Sequence, residues 1–79
     1  MHSEYILPGL HQAKARFFEE LGEVLIANGK CERFGFTNRY PDNNKTNNIQ
    51  DLMGELSDLE YALASFKKEL LELDIWETF

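Results

Sequence analysis

Apolar residues recur at helical spacing in two stretches of the chain. In the first, Leu10, Ala13, Phe17, Phe18, Leu21, Val24 and Leu25 fall at steps of three and four, which predicts an amphipathic helix from about Pro8 or Leu10 to Asn28. Pro8 suits a first-turn position and Gly29 the stop after the last turn. The second stretch runs from about Asn48 to Leu73, with Ile49, Leu52, Met53, Leu56, Leu59, Leu63, Phe66, Leu70 and Leu73 along one side. Asn47 with Gln50 three residues on has the spacing of a capping box, Asn standing in for Ser or Thr. Residues 29–46 keep no period. They hold Gly29, Gly35 and Pro41 among three asparagines, four basic side chains (Lys30, Arg33, Arg39, Lys45) and three aromatics (Phe34, Phe36, Tyr40), and read as a long loop.

Two such helices cannot bury their stripes fully against each other. The expected fold is therefore all-α: two main antiparallel amphipathic helices joined by a long loop, completing a helical bundle as a homo-oligomer, dimer or tetramer. The length of 79 residues suits a single domain over 1–79, and a lone chain of this size buries only about 60% of the surface its unfolded form exposes. The usual staples are missing, since Cys31 is the only cysteine and His2 and His11 the only histidines. Trp76 and Phe79, beyond the clear period, are candidates for packing between subunits. The longest apolar run, Val24 to Ala27, is far short of a membrane span, and the first residues lack the pattern of a signal peptide. A single thiol suits a reducing compartment, so a cytoplasmic protein is expected.

Charge narrows the chemistry. Fourteen acidic against eight basic side chains give a net charge of -6, the wrong sign for a protein that grips nucleic acid polymers through their phosphates. If the chain handles a polyanion, a divalent metal must intervene. Glu20 and Glu23 on the first helix lie about 60° apart on a helical wheel, as do Glu55 and Asp58 on the second, and both pairs fall at the flank of their apolar stripes. Antiparallel packing could bring these four carboxylates together at the edge of the core. Their mutual repulsion makes sense only with cations present, and hard oxygen ligands suit magnesium or manganese. Acidic pairs at spacing three are also common on solvated faces. Gly22 and Gly54, each inside a strong helix beside these acids, suggest close approach by something, a ligand or another helix.

Glu19-Glu20-x-x-Glu23 followed by Glu55-x-x-Asp58, each on an amphipathic helix, resembles the signature of the MazG-like all-α nucleoside triphosphate pyrophosphohydrolases. The surroundings, FFEELGEVLIANGKCERFG and IQDLMGELSDLEYAL, are similar in texture to small phage and bacterial members, over about residues 12 to 66. The resemblance implies a magnesium-dependent enzyme in which water attacks the α-phosphorus of a nucleotide and releases monophosphate and pyrophosphate. It implies Glu20, Glu23, Glu55 and Asp58 as metal ligands. Glu19 and Glu20 would be the catalytic carboxylates, Glu19 as an outer ligand or water-orienting base, and Lys30 would reach phosphate. It also implies a cytoplasmic setting, of a bacterium or of the host cell if the chain is phage-encoded.

Other residues carry weaker signals. Arg33 could neutralise phosphate, and Arg39 and Lys45 less readily; surface ion pairs are the plainer use of all three. Phe34, Phe36 or Tyr40 could stack a base or pin the loop to the core. Asn28, two turns after Glu20, could contact base or sugar, or cap the helix end. Cys31 has no neighbour in sequence to make it a nucleophile. Two other functions stay open: a nucleotide or alarmone (ppGpp) binder with little turnover, and a helical interaction module without catalysis.

Overall fold

The computed structural model describes residues 3–37 and 47–78. It has two helices, α1 over Ser3–Phe34 and α2 over Asn48–Thr78, and no strand among the described residues, so the fold is all-α. No helix among these residues is long and apolar enough to cross a membrane.

α1 outruns its sequence pattern at both ends. Pro8 lies inside the helix rather than at its first turn, with Ser3 to Leu7 ahead of it, so the lost N–H bond falls near the helix start. Gly29 does not stop the helix either. The following turn carries Cys31, which is 1% exposed against α2, and burying it offsets the roughly 1 kcal/mol that a helical glycine costs. The stop is Gly35, whose φ of 90° is open to a residue without a Cβ, and whose N–H donates to the Cys31 carbonyl at 2.8 Å.

α2 starts where its capping box places it. The Gln50 N–H donates to Asn47 Oδ1 and the Asn47 N–H to Gln50 Oε1, both at 2.9 Å. Asn48, 1% exposed, then ties the two helices together: its Nδ2 donates to the Gly35 carbonyl at 2.8 Å, and Cys31 Sγ donates to the Asn48 carbonyl at 3.5 Å. The Ile49 N–H adds a bond to the Phe36 carbonyl at 2.9 Å. The expected loop is thus shortened by α1 running through to Phe34, and Arg39, Tyr40 and Lys45 lie outside the described residues, as do Phe79 and the side chain of Trp76.

The helices meet along a seam with a seven-residue period. On α1 it consists of Leu10, Ala13, Phe17, Glu20, Val24, Ala27 and Cys31; on α2, of Asn48, Leu52, Glu55, Leu59, Ala62, Phe66, Glu69 and Leu73, all buried or half-buried. Contacts climb α1 while descending α2. The Glu69 carboxylate lies over Gly9, where a Cβ would come within 3.1 Å of it; the Phe17 and Phe66 rings sit 5.5 Å apart; and Cys31 meets Asn48. The Arg16 guanidinium lies 5.9 Å from the centroid of the Tyr61 ring. Truncating Phe66 to Ala removes the largest side chain on the α2 side of this seam and should cost about 3 kcal/mol, read from chemical denaturation followed by circular dichroism.

The seam does not follow the apolar stripes. Phe18 and Leu25, expected in the α1 stripe, are 53% and 65% exposed, while Glu20 takes a seam position. On α2 the seam takes Glu55 and Glu69 and leaves Met53, Leu56, Leu63 and Leu70 outside it. The reason is geometric: each helix carries more than one apolar row, and a single partner helix can cover only one of them.

Candidate functional site

Glu20, Glu23 and Glu55 come together midway along the seam, each offering a carboxylate oxygen within 4.8 Å of the others. Ligands of a magnesium ion at 2.0–2.1 Å stand about 2.9 Å apart when adjacent and about 4.2 Å apart when opposite, so the three side chains would have to draw together to share one ion. Glu20 is only 9% exposed, and its Oε2 atom is buried with no hydrogen-bond partner; the same holds for Glu55 Oε2. Buried carboxylate oxygens without a donor are costly unless something positive meets them. The donor set and the orphaned oxygens both fit a hard divalent cation.

The titration of the cluster carries the same message. Burial pushes the Glu20 carboxyl above the usual carboxylate range, helped by the charges of Glu23 and Asp58 and opposed by Arg16. Glu23 is also raised, first because a protonated Glu23 can donate to Glu55 and because the Glu55 charge lies beside it, with burial and Glu19 adding to the effect. A hydrogen bond with Glu20 works in the opposite direction. The site holds more negative charge than it can neutralise with its own side chains, which a bound cation reverses.

The cluster opens on a cleft of about 500 Å³ lined by Glu23, Glu55 and Asp58 together with Lys30, Asp51 and Gly54. This volume lies within the range of small-molecule sites. A second hollow of about 390 Å³ continues from it past Ile26 and Lys30 to Arg33 and Phe34. The carboxylates thus stand at one end of a groove with basic side chains further along.

Of the residues singled out from sequence, Glu20, Glu23 and Glu55 form the trio, Asp58 shares the cleft and acts on Glu20 through its charge, and Lys30 and Arg33 line the groove. Glu19 is exposed beside the cluster and acts on Glu23 through its charge. Asn28 is placed elsewhere: its Nδ2 donates to Glu32 Oε1 at 3.3 Å, one turn along its own helix, and it lines neither hollow. Phe34 lines the second hollow, and Phe36 stands exposed; neither is pinned in the core.

Two sequence readings need correction. Glu20 and Glu55 are not at the flank of the core but within the seam, because the seam is rotated off the centre of the apolar stripes. Gly22 and Gly54 do not mark a close helix crossing, since a Cβ at either would meet nothing within 4 Å; at Gly54 a side chain would project into the cleft instead. Asp51 and Gln50 also line the cleft and were missed. For Asp51 the signal was present, because Asp51, Glu55 and Asp58 follow one another at steps of four and three on one helical face.

No protein-family model matches the chain, and no curated protein or solved structure is significantly similar to it.

Proposed function

We propose that the chain is a magnesium-dependent nucleotide pyrophosphohydrolase that cleaves nucleoside or deoxynucleoside triphosphates, or related nucleotides, to monophosphate and pyrophosphate in the cytoplasm. The observation that carries this reading is the carboxylate trio with two buried, unpartnered oxygens at the head of an open groove. The resemblance of Glu19-Glu20-x-x-Glu23 and Glu55-x-x-Asp58 to the MazG-like signature supplies the reaction type.

In this reading Glu20, Glu23 and Glu55 would hold the ion, with Asp58 in the cleft beside them as a further carboxylate ligand. Magnesium bound there would neutralise the triphosphate and lower the pKa of the attacking water, and manganese fits the same donors. Glu19 orients that water from the exposed side of α1. Lys30 and Arg33, along the groove, receive phosphate oxygens and leave the nucleoside end toward Phe34. Water attacks the α-phosphorus, the bond from it to the bridging oxygen breaks, and pyrophosphate leaves. The two helices act as an antiparallel pair within a homo-oligomer.

Incubation with each NTP and dNTP plus magnesium, followed by product identification, tests the activity. Monophosphate with pyrophosphate is the expected result. Monophosphate with two orthophosphates, or tight calorimetric binding of a nucleotide or ppGpp without turnover, would overturn it, the latter in favour of a binding protein.

A further inference from the structure

Glycine is disfavoured in a helix interior, so each one there calls for a physical reason. Gly9 has one, since the Glu69 carboxylate lies over it and would stand 3.1 Å from a Cβ. Gly22, Gly29 and Gly54 have no such neighbour, a Cβ at each meeting nothing within 4 Å. Packing within the chain therefore asks for none of the three. Two of them border the groove, Gly29 at the second hollow and Gly54 at the cleft, while Gly22 lines neither.

Gly54 has the more telling place. Glu23 meets Glu55 at one level of the helix pair and Cys31 meets Asn48 at another, and Gly54 lies between these levels, as do Ile26 and Ala27 on α1. Lys30 is one residue short of Cys31. A ligand that reaches from the carboxylate trio to Lys30 thus crosses Gly54. Asp51, three residues before it, and Asp58, four after it, face the same cleft, so the α2 wall is two side chains with bare backbone between them.

That bare stretch supplies width alone. Amides in the middle of a helix are spent on the helix's own bonds, so Gly54 has no donor left for an anion. With Glu23, Glu55 and Asp58 beside it, a phosphate chain crosses here only in company with its cation. A side chain at Gly54 would stand in open space where the carboxylate end of the cleft joins its basic end.

We infer that Gly54 is a specificity-determining residue, its missing side chain leaving the passage by which the phosphate chain of a magnesium-bound polyphosphate runs from the carboxylates to Lys30. The inference rests on the proposed reading of the cleft as a magnesium and polyphosphate site, and not on hydrolysis there.

Inorganic triphosphate with magnesium is the probe, read by calorimetry so that neither base nor turnover enters. The wild type should bind it. Gly54→Leu should weaken binding by at least about tenfold, since one methylene in a fitted site is worth about 10- to 200-fold, and Gly54→Ala by a smaller factor. Magnesium alone should raise the melting temperature of Gly54→Leu as much as that of the wild type, which puts the loss in the passage and not at the ion. Gly54→Ala should also melt about 5 °C above the wild type, as should Gly22→Ala, which keeps full affinity for triphosphate. A wild type that ignores magnesium triphosphate, equal affinity in wild type and Gly54→Leu, or a Gly54→Leu chain that loses its magnesium shift as well, would each overturn the inference. Nucleotide cleavage that Gly54→Leu leaves untouched would remove the passage and keep the enzyme. Triphosphate binding that depends on Gly54, without cleavage of any nucleotide, would keep the passage and remove the enzyme.

Discussion

Glu23→Ala protein should keep its helices, lose the proposed pyrophosphohydrolase turnover by more than about 100-fold, and lose the upward shift in melting temperature that magnesium should give the wild type. The floor on the activity loss is the upper end of what removing a mere supporting partner of a metal ligand costs, and Glu23 is proposed as a ligand itself. A cation at 100 times its dissociation constant adds about 2.7 kcal/mol to the wild type, so its disappearance is readily seen in a melt. The metal-free melting temperature is the more telling half of the experiment. Glu23 stands among like charges, and its presence raises the Glu20 carboxyl. Truncation relieves that repulsion, so the metal-free variant should melt at or above the wild type. A structural ion pair would behave in the opposite way. A variant that melts markedly lower without metal, and still shows a full magnesium shift, would remove these carboxylates from the mechanism. Asp58→Ala, at the open side of the cleft and outside the trio, should reduce turnover by a smaller factor.

What the sequence made legible was local. Two helical periods and the Asn47 and Gln50 box follow from spacings within a few residues, and the structure contains each of them. The meeting of carboxylates across the helices depended on how the helices pack; of the four expected together, Glu20, Glu23 and Glu55 converge and Asp58 lines the cleft beside them. Boundaries were less legible at α1. Gly29 and Gly35 look alike in sequence, and what separates them is Cys31, whose burial against Asn48 can be known only once α2 is in place. Asn48 shows the same limit: as a residue inside a predicted helix start it carried no signal, yet it holds both helix ends.

The rotation of the seam was the least legible feature. Counting apolar residues centres the α2 stripe on the Leu56, Leu59 and Leu63 side, whereas α1 packs against the row that includes Glu55, Ala62 and Glu69. Ala13, Ala27 and Ala62 all lie on the row where the helices meet, where small side chains suit close packing, while on α2 the larger Leu63, one position past Ala62, is left outside it. The same rotation draws Glu20 and Glu55 inward and leaves their oxygens without donors, so the site and the bare apolar face have a common origin.

Acid should stabilise the metal-free protein and abolish its response to magnesium. Glu20 and Glu23 both titrate above the ordinary carboxylate value of 4.5 in the folded chain. Between that value and their raised ones the folded state holds more protons than the unfolded state, so stability falls as pH rises through this window. Lowering the pH from neutral toward 4.5 should therefore raise the contribution of these two groups to the metal-free melting temperature, which levels off below it. Magnesium needs the same carboxylates ionised, and its stabilisation should fade over the same window. The curves with and without metal then converge on the acid side. Other carboxylates of this acidic chain contribute a slope of their own, and Glu20→Gln isolates the cluster by deleting its most buried member while leaving that background in place. The variant should show a flatter metal-free slope and little magnesium shift at any pH, measured at fixed chain concentration so that assembly does not enter. If Glu20→Gln and wild type trace parallel curves, the strain in the cluster is not what the carboxylates of the seam contribute, and the case for a cation relieving it falls with that result.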